Sequence, residues 1–164
     1  MAEDAFEGLS EASIDLFLNP DREREWVETL LNVPSEDEGI IPWTCTEQQR
    51  RILDTTKRIR KLVIVKGRQT RCSTILLAKS IRRAVTSFGQ NFVIVTQTDD
   101  MTQNFRQFIK DRFQDLAAKG FEYDFDPKNG GIDNEKKLRM GKRHNTWHFA
   151  SAEQKVGQRG IQTA

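Results

Sequence analysis

The chain has few residues of the kinds that mark secreted, membrane-spanning or metal-rich proteins. Its 164 residues include two cysteines and two histidines. Cys45 and Cys72 match no C-x-x-C spacing and define no disulfide framework, which favours a reducing compartment. No apolar run approaches the roughly 20 residues that a membrane-spanning helix requires, and the N-terminus has no basic and apolar signal segment. These absences predict a soluble cytoplasmic protein that makes no membrane contact.

The net charge of +2 conceals a division of charge along the chain. Residues 1–47 carry 13 Asp and Glu against two Arg, whereas residues 48–164 carry 24 Lys and Arg against 11 acidic residues. This division predicts an acidic arm followed by a basic body. A basic body is typical of proteins that bind nucleic acid or nucleotide phosphates, although a plain solvated surface has the same composition.

Breaks in the hydrophobic pattern place a boundary near Ile41. Two short amphipathic helices are predicted in the arm, the second opening at Asn19-Pro20-Asp21 with a cap residue, a proline at the first helical position and an acid in the first turn. Residues 33–42 contain two prolines and an acidic run, which predicts a linker. We therefore expect an acidic helical arm and linker over residues 1–40 and one domain over residues 41–164.

The body alternates helices and strands, which predicts an α/β fold with a parallel sheet between helices in three layers. A turn-rich segment separates the last helix from a hairpin. In chain order the predicted elements are a helix at 46–57, a strand at 62–65, a helix at 73–88 whose apolar positions include Leu76 and Phe88, a buried strand at 92–95, a helix from about 98 to 119 with Met101 on its core side, and a hairpin of 136–140 with 146–150.

The segment VKGRQTRCST, residues 65–74, joins the first predicted strand to a helix. A strand, a loop of inward-facing N–H groups and a helix N-terminus together form a phosphate-binding site. When the segment is aligned with G-x-x-x-x-G-K-[ST], Lys66 takes the place of the first glycine, Arg71 that of the second, Cys72 that of the lysine and Ser73 that of the hydroxyl residue. A flexible lysine at position 66 can reach the same phosphates.

This interpretation names the candidate ligands of a nucleotide. The candidate phosphate-binding residues are Lys66, Gly67, Arg68, Gln69, Thr70, Arg71, Cys72, Ser73 and Thr74. The hydroxyl of Ser73, or that of Thr74 in its place, is the candidate Mg²⁺ ligand. Arg71 departs from the pattern because glycine adopts positive φ with little strain and a branched side chain does not. The alternative interpretation of the segment is a basic turn between a strand and a helix.

The segment and its neighbours resemble the large terminase subunits of tailed phages, whose packaging ATPase carries the pattern K-x-R-Q-x-G-x-S-T. Lys66, Arg68, Gln69, Ser73 and Thr74 match that pattern, and Arg71 stands at its glycine. EQQRRIL at 47–53, VIVT at 93–96 and SAEQKVGQRGIQT at 151–163 are similar to family segments in the same order. The resemblance covers about residues 41–164 and implies a P-loop ATPase fold.

The resemblance also implies a function. It implies ATP and Mg²⁺ as cofactors, double-stranded DNA as the translocated partner, a small terminase subunit and a portal or procapsid as further partners, an oligomeric motor and the host cytoplasm as location. Gln49 would read adenine, although Thr46-x-x-Gln49 is equally a capping box. The family's next strand, ending in Asp-Glu, does not occur before Ala164, so we expect a partial ATPase domain and assign no catalytic residue.

Basic residues and histidines outside the segment allow other interpretations. Arg82, Arg83 and the basic residues from Arg139 to Arg143 are predicted to be solvated, with contact to DNA phosphates as the alternative. His144 and His148 are four apart within a predicted hairpin, which is no metal-binding arrangement. A helicase-like ATPase and a nucleotide-independent DNA-binding or adaptor module remain alternative functions.

Overall fold

The computed structural model describes residues 10–35, 37–57 and 72–153, which form a mixed α/β structure in two compact units. The first unit contains the described residues up to Thr86 together with residues 112–122, and the second contains residues 87–111 and the described residues from 123 onward. The predicted strand at 62–65 lies outside the described residues, as does most of the segment 151–163. No helix within the described ranges is long and apolar enough to cross a membrane.

The first unit consists of helices and one β-hairpin. Its elements are α1 (Glu11–Leu18), a 3₁₀ turn (Pro20–Arg22), α2 (Glu23–Leu30), β1 (Asn32–Ser35), β2 (Gly39–Pro42), α3 (Glu47–Thr56), α4 (Cys72–Thr86) and the C-terminal turns of α5 (Asp99–Ala118). The predicted opening at Asn19-Pro20 is confirmed, because the Asn19 side chain accepts a hydrogen bond from the Asp21 N–H at 3.0 Å. Helices α1, α2, α3 and α4 pack against one another around a buried apolar core.

The segment predicted to be a linker forms the antiparallel β1–β2 hairpin instead. Two prolines suggested an irregular chain, but both strands of a two-stranded ribbon are edges and edges tolerate proline. The backbone N–H and side-chain amide of Asn32 donate to the two carboxylate oxygens of Asp115, at 3.0 and 2.9 Å. The hairpin is therefore held to the end of α5 within the same unit.

A buried cluster of charges joins α1 and α2 to α4. Glu23 is 4% exposed, and both of its carboxylate oxygens lie within 2.9 Å of Lys79 Nζ. Arg82 Nη1 lies 4.0 Å from the same carboxylate, and Arg82 Nη2 donates to the backbone oxygens of Phe17 at 2.9 Å and Asn19 at 2.6 Å. Arg82 thus supplies donors to carbonyl groups that the end of α1 leaves without helical partners.

The burial of Arg82 corrects the prediction that this residue is solvated. Burial lowers the pKa of its guanidinium, and the charge of Glu23 acts in the opposite direction. The position follows from helical spacing, since Arg82 lies four residues after the buried Ala78 and three before the buried Val85, on the same face of α4. Leu76 and Phe88 differ from their predictions in the opposite sense, because they are exposed where burial was expected. They were expected on the apolar face of α4, but Leu76 follows Ile75 by only one residue and Phe88 lies beyond the end of the helix, so both are exposed.

The second unit is built on a four-stranded mixed sheet in the order β3-β6-β5-β4. The strands are β3 (Asn91–Thr96), β4 (Ile132–Asn134), β5 (Lys137–Arg139) and β6 (Thr146–Ser151). β3 and β6 are parallel, whereas β6, β5 and β4 pair in antiparallel fashion. The α/β class, the strand at 92–95 and the hairpin are confirmed. The strand was predicted to be buried, but Val93 and Val95 are exposed because they point away from the face that packs against α5. The described sheet is mixed rather than wholly parallel, and the three-residue β4 was missed because its surroundings contain mostly turn residues.

One face of this sheet packs against the first turns of α5. Thr102, Arg106 and Lys110 follow one another at four-residue intervals and so lie on one side of the helix. The Thr102 hydroxyl contacts that of Thr96 on β3, while Arg106 and Lys110 form ion pairs with Asp133 on β4. Ile109 on α5 is fully buried. Met101 was expected on this side, but it lies at the start of the helix and is 42% exposed.

Aromatic side chains fill the same face of the sheet. Phe92 on β3 stacks on Trp147 on β6, with ring centroids 5.1 Å apart, and Phe125 meets Trp147 edge-on at 6.5 Å. The turn at Gly141 closes against the segment before β4, where a Cβ at residue 141 would lie 2.3 Å from the Asn129 oxygen. Only glycine fits this approach of two backbones.

We expect Arg82→Met to lower the free energy of unfolding by about 3 kcal/mol, because it leaves the buried Glu23 with one cation and removes the donors to α1. Arg83→Met is the matched control, since Arg83 is the exposed neighbour on the same helix, and it should change stability by no more than about 0.5 kcal/mol. Urea unfolding followed by circular dichroism measures both. Equal effects of the two substitutions would contradict the structural role of Arg82.

Candidate phosphate-binding site

Helix α4 begins at Cys72, inside the predicted phosphate-binding segment. Ser73 and Thr74 lie in its first turn with half-buried side chains, while Cys72 is buried. The first N–H groups of a helix have no partner within the helix, and the helix dipole favours an anion beside them. The six preceding candidates, Lys66, Gly67, Arg68, Gln69, Thr70 and Arg71, lie outside the described residues. Of the predicted ligands, the structure therefore places Cys72, Ser73 and Thr74.

The position of this helix end is set by the core of the first unit. Ile75, Ala78 and Ile81 are fully buried, which fixes one face of α4 against its neighbours. Lys79 and Arg82 anchor the same helix through Glu23. A helix held along most of its length presents its first turn in a defined orientation, which a phosphate site requires.

Gln49 acts as a structural residue at the start of α3. Its Oε1 accepts hydrogen bonds from the Thr46 N–H at 3.0 Å and from the Trp43 indole Nε1 at 3.3 Å, while its own N–H donates to Thr46 Oγ1 at 3.3 Å. These contacts form the capping box that was predicted as an alternative for Thr46 and Gln49, and that prediction is confirmed. Gln49 is 1% exposed. The carbonyl oxygen of its amide is engaged within the fold, and adenine reading by Gln49 stays a prediction.

Cys45 lies beside this capping box. The thiol is 2% exposed, and the backbone N–H of Cys45 donates to Glu28 Oε1 at 3.0 Å. Burial, together with the nearby charge of Glu28, raises the pKa of the Cys45 thiol to about 11. A thiol in this environment stays protonated at neutral pH and is a poor nucleophile.

A second group of polar side chains lies where β3 and β6 end, within the second unit. Thr96 and Ser151 are partners across the parallel pair and are the last residues of their strands. Thr96 Oγ1 donates to the Thr98 oxygen at 2.8 Å, and the Ser151 hydroxyl donates to the Asp99 carboxylate. Open α/β sheets bind ligands outside the carboxyl ends of their parallel strands. Here the hydrogen bonds of Thr96 and Ser151 join them to Thr98, Thr102 and Asp99, and these contacts stabilise the strand ends.

The polar group at the ends of β3 and β6 was not predicted from the sequence. The available signal was a hydroxyl residue directly after each of two apolar strand sequences, in NFVIVT and TWHFAS. Which strands become neighbours depends on the sheet order, and the sequence pattern does not contain that order. The contact between Ser151 and Asp99, 52 residues apart, therefore emerges only in the folded chain.

Arg143 was predicted to be solvated, with contact to DNA phosphates as the alternative. Arg143 is 6% exposed, with its guanidinium 4.9 Å from the centre of the Phe88 ring, and burial lowers its pKa. The prediction that it is solvated is therefore wrong.

The two histidines lie in and beside β6. His144 has a φ of 56° in the turn before β6, and its Nδ1 lies 2.5 Å from Arg139 Nη2, whereas His148 lies within β6. The described residues contain no group of three or more His, Cys, Asp or Glu that could hold a metal ion.

Neither known families nor characterised proteins provide a match for the chain. A scan of family models finds no family, and a search of characterised proteins finds no relative.

The capping box is tested by a double-mutant cycle on Thr46 and Gln49. Thr46→Ala should cost about 1 kcal/mol of stability, whereas Gln49→Ala should cost about 2 kcal/mol because it also leaves the Trp43 indole without this acceptor. The double variant should lose less than the sum of the two, since both side chains belong to one motif. Urea unfolding gives the three values, and strict additivity would contradict the reciprocal contact.

The raised pKa of Cys45 predicts a loss of stability at alkaline pH. Below pH 9 the thiol is protonated in both states, and between about pH 9 and 11 it ionises only in the unfolded chain, which favours unfolding. The loss attributable to Cys45 should reach roughly 2–3 kcal/mol across this range. We expect the free energy of unfolding to fall more steeply from pH 8 to pH 11 in the unsubstituted chain than in Cys45→Ala. Parallel slopes would contradict the assigned pKa.

Proposed function

We propose that the chain is the ATP-binding part of a viral DNA-packaging motor of the terminase large-subunit type. In this proposal ATP hydrolysis by the full motor drives double-stranded DNA into a capsid. The motor would work as an oligomer in the host cytoplasm, together with a small terminase subunit and a portal or procapsid. The support for the terminase type is the order of the four sequence segments that resemble the family, from residue 47 to residue 163.

The observation that carries nucleotide binding is the start of α4. The helix begins within the predicted phosphate-binding segment and has Ser73 and Thr74 in its first turn. Two hydroxyl groups at a helix N-terminus, after a segment whose sequence contains Lys66 and Gly67, are the groups that a phosphate and its Mg²⁺ require. The parallel pair β3 and β6 accords with a P-loop type of sheet. We therefore assign the fold to this type as part of the proposal.

The residues have distinct roles in the proposed complex. Lys66 neutralises phosphate charge, and the backbone N–H groups of residues 67–73 donate to phosphate oxygens. The Ser73 hydroxyl is the protein ligand of Mg²⁺, which keeps several waters and needs few protein ligands. Arg68 supports negative charge on the terminal phosphate. Bound Mg-ATP supplies the phosphoanhydride whose cleavage depends on such positioning and charge neutralisation.

The second candidate is a nucleotide-independent DNA-binding or adaptor module. Two observations favour it. Arg71 occupies the position of a glycine in the phosphate-binding pattern, and Gln49, the residue expected to read adenine, is buried and engaged in the capping box. A helicase-like ATPase is the alternative within the same fold, and it would share the nucleotide site but not the packaging partners.

Calorimetric titration of the 164-residue chain with Mg-ATP tests the proposal. We expect binding by the unsubstituted chain and a loss of about tenfold or more in affinity in Lys66→Ala, because a charge on the phosphates is left without its partner. Lys128→Ala is the matched control, since Lys128 is an exposed lysine on a 3₁₀ turn. Arg71→Gly should strengthen binding if the loop requires positive φ there.

The outcome separates the candidate functions. No heat of binding in the unsubstituted chain and in Arg71→Gly, combined with retained affinity for a DNA duplex in a fluorescence anisotropy titration, would contradict nucleotide binding and select the adaptor module. Equal losses in Lys66→Ala and Lys128→Ala would show that bulk charge, not the loop, attracts the nucleotide. A Ser73→Ala variant should lose affinity only when Mg²⁺ is present, because its hydroxyl is assigned to the metal.

A further inference from the structure

One face of the sheet in the second unit is not covered by α5. Alternate residues of a strand point to opposite faces. Phe92, Trp147 and Leu138 are on the face that packs against α5. The residues between them form the other face, which we call the outer face: Asn91, Val93 and Val95 on β3, Thr146, His148 and Ala150 on β6, Lys137 and Arg139 on β5, and Ile132 and Asn134 on β4. Thr146 is only 4% exposed, so the open part of the face lies around the two valines. Val93 is 71% exposed and Val95 is 64% exposed.

The two valines form an apolar strip. They are two residues apart on one strand, and Ala150 lies directly opposite Val95 on β6. Single exposed apolar residues are ordinary in proteins, whereas these two lie side by side on β3, the edge strand of the described sheet. Parallel strands are almost always covered on both faces, because their connections place helices there. The strip is therefore a surface that a further layer would stabilise.

Among the residues of the four strands, the charges on the outer face have one sign. Lys137 and Arg139 are the charged residues of the strands that point to the outer face. The acidic residue of the four strands, Asp133, pairs with Leu138 and so faces α5, where it binds Arg106 and Lys110. His148 lies between Val93 and Lys137 across the sheet. A molecule that covers the outer face meets apolar groups on β3 and positive groups on β5.

We propose that the outer face is a docking surface for an amphipathic acidic helix of a protein partner. Three neighbouring strands span about 10 Å, which is close to the diameter of one α-helix. Apolar residues of the helix would pack on Val93, Val95 and Ala150, while Asp or Glu along one flank would pair with Lys137 and Arg139. This surface shares no residue with the proposed nucleotide site.

Two other occupants fit the face less well. A nucleic acid is recognised through phosphate contacts and aromatic stacking, but the centre of this face is apolar and the sheet aromatics Phe92, Trp147 and Phe149 are on the opposite face. A second copy in a two-fold contact would present the same face, whose strand residues offer no carboxylate to Lys137 and Arg139. The acidic helix is the occupant whose charge and shape match.

The test uses the full 164-residue chain, labelled with ¹⁵N, and two synthetic helical peptides of about 15 residues, each locked by a side-chain staple. Both have Leu at positions i, i+4, i+7 and i+11. One has Glu on the flanking positions and the other has Lys. We expect the acidic peptide to bind about tenfold more tightly than its lysine twin and to shift amide resonances of β3, β5 and β6.

Substitutions identify the surface. Val93→Glu should weaken binding of the acidic peptide about tenfold, since it places a charge in the apolar strip. Ile40→Glu is the matched control, because Ile40 is 72% exposed on β2, and it should leave binding unchanged. The double variant Lys137→Glu/Arg139→Glu should prefer the lysine peptide. Thermal unfolding of each variant confirms that an exposed substitution has left the fold intact.

Four results would overturn the proposal. These are no binding of either peptide at concentrations on the order of 1 mM, equal affinity for the two peptides, unchanged binding in Val93→Glu, and resonance shifts confined to other elements. Sedimentation in which the chain self-associates and Val93→Glu disperses it would identify a second copy as the occupant instead. Displacement of the peptide by a DNA duplex would identify a nucleic-acid surface.

Discussion

The buried guanidinium of Arg82 is the constraint on which the first unit depends. It is the group of α4 that reaches both the carbonyl oxygens at the end of α1 and, with Lys79, the carboxylate of Glu23. A charge removed from water is stable only with partners, so the helices that supply those partners must lie where they do. The acidic arm is thereby an integral part of the unit that contains α4. Its acidity is partly explained by this internal pairing.

The second unit depends on a different constraint, which is the alternation of its strands. The inward residues Phe92, Trp147 and Leu138 contribute to one apolar layer beneath α5, whereas Val93 and Val95 point outward and are exposed. Because the side-chain period of a strand is two, the same backbone pairing fixes both faces at once. The polar residues at the strand ends, Thr96 and Ser151, stabilise that pairing where the apolar layer stops.

Much of the fold could be predicted because its signals are local. The helix from Asp99 has a strong periodic pattern, the strand at Asn91–Thr96 contains a short run of apolar residues, and the capping box at Thr46 can be predicted from four residues. The hairpin at residues 32–42 could not be predicted, since proline and acidic residues are typical of loops and its stability comes from Asp115, some 80 residues away. Of the candidate phosphate site, the sequence predicted the helix start, which the structure places one residue earlier than expected.

By itself the sequence determined the α/β class, the extent of the long helices and the candidate ligands around Ser73, because periodicity, caps and motif spacing are properties of neighbouring residues. Only the tertiary structure decided which charges are buried. Arg82 and Arg83 are adjacent and chemically identical, yet one is enclosed by α1 and the other is exposed. Burial depends on what packs against a side chain, and that partner is distant in sequence. The same reason holds for the two faces of the sheet, where contacts across strands separate the valines on the outer face from the aromatic residues beneath α5.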